Sequence, residues 1–377
     1  YNIDEIYLSI YKQNFQPSNY NKEIYGEVNT PFSLIDEILN LFPNDIFKNP
    51  NLKWLDPACG CGYFMIVLFK KLMISLYDFE KDNEKRKKYI LENMLYMVEI
   101  NNENVEKLRT IFGENANIYN EDFLSMNSSS FDFVERKFDV IIGNPPYNMN
   151  GLKKVPTNNK MNKKQDGVTV WNSFVKSSLS ILKNNGFLSM IIPSIWMKPD
   201  KMKMYNFFLQ YKLHKIRSFS NTETKMIFKG QAQTPTCIFL LENKKNDFQV
   251  SLYDSIIKDY IDYKYEFGNP IPLFAINIIK KIKKYVKKYG SIKEIVTKTN
   301  MPSNTIILKN EIDDFIENES DNNEDIDNDN NKNNNDINKK NYYKNISTTR
   351  LDRENNPYHI FKYSNKPCIY YNTKKIP

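Results

Sequence analysis

Four short stretches of this sequence combine residue types and spacings that can do chemistry. The first is Asp56-Pro57-Ala58-Cys59-Gly60-Cys61-Gly62. Glycines let a ligand approach the backbone, and a helix starting just after them turns its N-terminus toward it. No Lys-Ser/Thr pair follows, so the loop is not built for a triphosphate. Asp56 ends a strand, where a carboxylate can hold a cationic amino group. Alone, the stretch also suits a tight structural turn. The second is Glu99, near the end of the apolar run 94–100. An acid ending a second strand is the usual acceptor for ribose hydroxyls. Its separation from Asp56 exceeds the common spacing of about 20 residues, and the charged insert at 82–88 accounts for the excess. The third is Glu121-Asp122-Phe123. Asp122 can accept from an adenine amino group while Phe123 packs on the ring; a helix cap with a core ring would look the same. The fourth decides the matter: Asn144-Pro145-Pro146-Tyr147. Two prolines fix the backbone and remove two N–H donors. The Asn144 side-chain oxygen and the Pro145 carbonyl remain as acceptors, and Tyr147 offers a flat stacking surface. Such a rigid loop suits a planar amino group with two N–H bonds.

These residues need elements to carry them. Short apolar runs at 52–56, 94–99, 116–119, 138–143, 186–192, 215–219 and 236–242 read as strands. Helical patterns at 63–76, 103–112, 168–182 and 201–211 alternate with them. Strand–helix alternation predicts a parallel sheet covered on both faces, with ligands at the carboxyl ends of its strands.

Composition narrows the field. The chain has 377 residues, 41% hydrophobic and 14% aromatic. That is enough for a sizeable core in two or three domains, and it rules out a wholly disordered or fibrous protein. The nearest approach to a membrane span, 64–76, is broken by Lys70 and Lys71, and a span needs about 20 apolar residues. No signal-peptide pattern opens the sequence, so an intracellular location is expected, in cytoplasm, nucleoid or nucleus. Cys59, Cys61, Cys237 and Cys368 show neither metal-ligand spacing nor a disulfide framework. The only histidines, His214 and His359, lack a patterned acidic partner. No metal and no His-based triad are expected. Net charge is +8, yet 311–336 holds eleven acids against the single base Lys332, so the remainder carries +18. A basic body fits a polyanion such as nucleic acid, although an AT-rich genome would also produce a Lys-rich surface.

Residues 23 to about 245 resemble the class I, S-adenosylmethionine-dependent amino-methyltransferases, above all the DNA adenine-N6 methyltransferases of restriction–modification type. Four marks carry the resemblance: Gly26-Glu27-Val28-Asn29-Thr30-Pro31, the loop from Asp56 to Gly62, Glu99, and Asn144 to Tyr147. The resemblance implies a Rossmann-like α/β fold with a mixed seven-stranded sheet, helices on both faces, and a C-terminal recognition region. It implies that Thr30 and Pro31 contact the methionine end of the cofactor, and that Asp56, Pro57, Ala58, Gly60, Gly62, Glu99, Asp122, Phe123 and Asn144 also belong to the cofactor-binding site. Cys61 stands where the family usually has Ser, a small-for-small change. Phe228 is the candidate for a second aromatic clamping a base from the other side. The substrate implied is double-stranded DNA, its adenine rotated out of the stack.

The expected organisation is a catalytic domain at 1–250, then a linker and the start of a recognition region at 251–317. A low-complexity Asn/Asp-rich insert follows at 318–341, and a recognition segment, expected to be cut short, at 342–377. The polar stretch 148–167, with five Lys, reads as a loop over the target; the basic run 280–289 reads as a phosphate contact or a solvated helix face. Too few residues precede Thr30 for a nuclease domain. The same tetrapeptide also serves methylation of RNA bases and of protein glutamine. A catalytically silent DNA-binding module is the reading from another class.

Overall fold

A computed structural model describes residues 28–126, 137–149, 168–232, 234–290, 296–298, 343–351, 357–364 and 369–371. The insert at 318–341, Gly26 and Glu27 lie outside them, as do residues 150–167.

Strands buried on both faces lose polar alternation and become short apolar runs. β1 (Trp54–Asp56), β2 (Leu95–Val98), β4 (Phe138–Gly143) and the second half of β5 (Leu182–Pro193) are of this kind, whereas the edge strand β3 (Asn117–Tyr119) is half-buried. They lie in the order β3-β2-β1-β4-β5, every pair parallel. β7 (Thr236–Lys245) lies between β5 and β6 (Tyr211–Phe219), antiparallel to both. The sheet does not stop at seven strands. β8 (Gln249–Asp254) pairs parallel with β6, and β9 (Asp259–Lys264) antiparallel with β8, making nine. Val250, Leu252 and Tyr263 turn into the core while Gln249, Asp259 and Lys264 face water, so both strands bury one face only. The compact N-terminal unit accordingly runs to Ile279 rather than to 250.

Alternation along the strands feeds two cores, one on each side of the sheet. Trp54, Met97, Val140 and Ile142 point to the first, with residues of α1 (Phe32–Leu39), α2 (Tyr63–Ser75) and α3 (Asn102–Phe112). Leu55, Tyr96, Val98 and Ile141 point to the second, with residues of α4 (Trp171–Ser180) and α5 (Met204–Phe208). The helix expected at 201–211 shrinks to α5 because Asp200 takes the Met202 and Tyr205 N–H groups and forms a turn first. The charged insert at 82–88, after α2, has structure of its own. Residues 83–89 are helical, and Arg86 is buried, bonded to the Glu80 carbonyl and the Asn83 side chain.

α6 (Asn221–Ile227) is closed by a capping box between Ser220 and Glu223, and α7 spans Ile276–Tyr289. In the unit from 280 to 377, β10 (Val296–Lys298) pairs with β13 (Ile369–Tyr371), and β11 (Tyr343–Leu351) with β12 (Pro357–Ser364), both antiparallel. Among the described residues, no helix is long and apolar enough to cross a membrane.

Candidate active site

β1 is flanked by β2 and β4, and the chain winds outward from there in opposite directions. The carboxyl ends of β1 and β4 therefore border the crevice where such sheets bind ligands. Asp56 ends β1 at 1% exposure. Its Oδ1 accepts the Ala58 N–H at 3.1 Å, while Oδ2, also buried, has no partner. Burial pushes the carboxyl up to about 8, opposed by the Ala58 N–H and reinforced by the charge of Glu99. A cation bearing N–H bonds would ionise this carboxyl and supply the donor that Oδ2 lacks.

Pro57, buried, and Ala58, half-buried, lead from Asp56 into the loop, where the Cys59 N–H donates to the Val98 carbonyl at 3.0 Å. The turn needs two left-handed glycines, Gly60 at φ 54° and Gly62 at φ 81°. A Cβ on Gly62 would also lie 2.6 Å from Leu108 and 2.9 Å from Phe112, so α3 packs directly on the loop. Glu99, 7% exposed, braces it from β2: Oε2 accepts the Gly60 N–H and Oε1 the Asn101 N–H, each at 2.8 Å. Asn120, which the sequence did not single out, donates to the Glu99 carbonyl at 3.0 Å. Its only signal was an Asn following a strand, which any turn would show. Burial beside Glu99 and Asp56 drives the Cys59 thiol up, so it stays neutral and unreactive.

β4 delivers the tetrapeptide to the same place. A Cβ on Gly143 would lie 2.6 Å from Asp56 Oδ1, so the two strand ends touch. Asn144 comes next, and its Nδ2 donates to Thr30 Oγ1 at 3.1 Å. Thr30 is 4% exposed, and Pro31 caps α1, its carbonyl taking the Leu34 and Ile35 N–H groups. Pro145 is buried; Pro146 and Tyr147 are half-buried. The Tyr147 hydroxyl is buried without a partner, and burial pushes its pKa up. Beyond it, the Met149 N–H donates to the Val168 carbonyl and the Val170 N–H to the Tyr147 carbonyl. An Asn148–Thr169 bridge lies between them and joins the two ends of the stretch 150–167.

Thr30, Asp56, Gly60, Gly62, Glu99 and Asn144 thus converge. Three expected residues make their contacts elsewhere. Asp122 caps the turn after it, accepting the Leu124 N–H at 3.0 Å and the Ser125 hydroxyl at 2.8 Å. Phe123 stacks on Phe174 in the second core, ring centroids 5.7 Å apart. Phe228 is 3% exposed in the first core, so its ring packs against the sheet and does not stand free to clamp a base. Among the described residues, no three His, Cys, Asp or Glu side chains are grouped to hold a metal.

Residues 64–228, which include the tetrapeptide, match the family described as Eco57I restriction-modification methylase. The match covers less than half of the 377 residues. The Escherichia coli type II restriction enzyme and methyltransferase RM.Eco57I is 26% identical over 298 residues, 62% of this chain and 29% of that protein. Type II methyltransferase M.AccI of Acinetobacter calcoaceticus is 31% identical over 267 residues, 66% of this chain and 40% of that one. An uncharacterised adenine-specific methylase of Mycoplasma pneumoniae is 25% identical over 248 residues, 47% of this chain and 56% of that one. The chain thus spans between 29% and 56% of these relatives. Among solved structures, the modification subunit of a putative type I restriction enzyme from Vibrio vulnificus covers 78% of this chain and 61% of its own. It superposes with a TM-score of 0.47 at 15% identity. The residues present fit S-adenosylmethionine, the cofactor that the sequence resemblance implies. The unpartnered Asp56 Oδ2 suits its ammonium group, and the glycine turn leaves room for backbone contact.

Proposed function

We propose that this chain transfers the methyl group of S-adenosylmethionine to the exocyclic N6 of adenine in double-stranded DNA, with the base rotated out of the stack. The observation that carries the reading is the contact of Gly143 with Asp56, which sets the Asn144 loop against the cofactor-side carboxylate. When bound, S-adenosylmethionine supplies an electrophilic methyl on a sulfonium. Asp56 would hold its ammonium group and Glu99 its ribose, Glu99 exchanging a loop N–H for a hydroxyl.

The N6 lone pair of adenine is conjugated with the ring, so the nitrogen is a poor nucleophile. The Asn144 oxygen and the Pro145 carbonyl accept its two N–H bonds, draw the nitrogen toward tetrahedral geometry and free the lone pair. Both dipoles then face developing positive charge, where fixed acceptors stabilise the transition state. Tyr147 stacks on the base. The proton leaves after methyl transfer, when the nitrogen is cationic, so no strong general base is required. Positioning of this kind contributes roughly 7–11 kcal/mol of barrier reduction.

The test supplies labelled S-adenosylmethionine with duplex DNA, RNA and a protein extract, and identifies the products by mass spectrometry. N6-methyladenine in DNA is the expected outcome. Label confined to RNA or to protein glutamine would overturn the DNA reading. Cofactor binding with no label in any acceptor would favour the silent DNA-binding module.

A further inference from the structure

The family resemblance gives Thr30 to the cofactor, but its side chain here does something else. We infer that Thr30 is a positioning residue for Asn144: its hydroxyl holds the Asn144 amide nitrogen, so that the amide oxygen is turned toward the target amino group. The inference rests on the methyl-transfer reading above and deepens it.

An asparagine amide has two faces of opposite chemistry, an acceptor oxygen and an NH2 with two donors. The proposed reaction uses only the oxygen. A flipped amide would set two N–H bonds against the two N–H bonds of the substrate and repel it. Some group must therefore select the orientation. Asn144 Nδ2 lies 3.1 Å from Thr30 Oγ1, a bond between residues 114 apart in the chain. Thr30 is 4% exposed, so little water competes for its hydroxyl, and the bond is stronger for it.

Thr30 itself is held from behind. Pro31 caps α1, whose Leu34, Ile35, Ile38 and Leu39 are buried in the first core. Glu37, on the same helix, bonds through Oε1 to Arg217 Nη1 of β6 at 2.6 Å. The hydroxyl thus directly precedes a helix held to the sheet by its buried face and by the Glu37–Arg217 pair, which is what a residue that orients another requires.

The experiment compares wild type, Thr30→Val and Thr30→Ser for methyl transfer to duplex DNA, with S-adenosylmethionine affinity measured by calorimetry. Valine keeps the branched shape and removes the acceptor; serine keeps the acceptor. Thr30→Val should lower kcat by about 10- to 100-fold, the scale of a misplaced catalytic group, with cofactor affinity within about threefold. Thr30→Ser should restore kcat to within about threefold of wild type. If Thr30→Val does not fold, Thr30→Ala carries the same expectation. A Thr30→Val protein that loses cofactor affinity but keeps kcat would overturn the inference, and so would a serine variant as impaired as the valine one. Wild type that transfers no methyl to DNA overturns the parent reading and this one with it; an active wild type isolates this inference.

Discussion

Removing one acceptor at Asn144 should separate chemistry from binding. Asn144→Ala is expected to lower methyl transfer at least about 100-fold while cofactor affinity stays within a few-fold; loss of both in a binding titration would make Asn144 a structural residue. Asp56 carries a prediction about pH. Its carboxyl is raised from an ordinary 3.8 to about 8, chiefly by burial, so the folded form retains a proton that the unfolded form gives up. Stability therefore falls as pH rises from about 4 to about 8, by at most about 1.4 kcal/mol per unit, and levels off above. Asp56→Asn removes that slope. Its melting temperature should exceed that of wild type at pH 8, the gap closing toward pH 4, while cofactor affinity drops. A gap that does not change with pH would mean that Asp56 is already ionised in the fold. At this scale the sequence was informative where chemistry is local: Asp56, Gly60, Gly62 and Asn144 are placed close together by β1, the loop after it and β4. It was silent on the Thr30–Asn144 bond, because a pairing across 114 residues leaves no mark in spacing. Phe228 was ambiguous, since a phenylalanine after a helix reads the same whether it faces a ligand or a core.

The strands and helices position these groups through a few close approaches. Gly143→Ala would drive a methyl to 2.6 Å from Asp56 Oδ1, so β1 and β4 must part or Asp56 must turn. The expected result is a loss of about 1–3 kcal/mol in a denaturant titration, with weakened cofactor binding. Unchanged affinity would show that the strand ends can yield. The Glu37–Arg217 pair joins α1 to β6, and the Arg217 guanidinium also lies 4.3 Å from the ring centre of Tyr253. Both partners remain 27% exposed, so Glu37→Gln should cost only about 1 kcal/mol in the same titration. The apolar strands of the parallel half were legible because two buried faces leave nothing polar to confuse the reading. β8 was not, although Val250 and Leu252 alternate with polar residues, because half-buried strands resemble amphipathic loops over so few positions. The helix at 83–89 hid for the opposite reason: its charges suggested solvent, and nothing local announces that Arg86 is buried.

At the level of the whole molecule, the first compact unit ends at Ile279, which makes truncation informative. A chain ending at residue 279 should bind S-adenosylmethionine with affinity within about threefold of the full chain. One ending at residue 250 cuts β8, leaves β6 with an open edge, and should aggregate in light scattering. Equal behaviour of the two would mean that β8 and β9 are dispensable. This boundary was not legible because composition changes little from 240 to 280, whereas strand pairing changes there decisively. The bridge between Asn148 and Thr169 has a consequence of another sort. It fastens together the two ends of whatever runs from 150 to 167, one residue beyond Tyr147. With the ends already joined, doubling the length between them adds only about 0.6 kcal/mol of closure entropy. A change in the length of sequence between Met149 and Val168 should therefore leave the pairing beside Tyr147 in place.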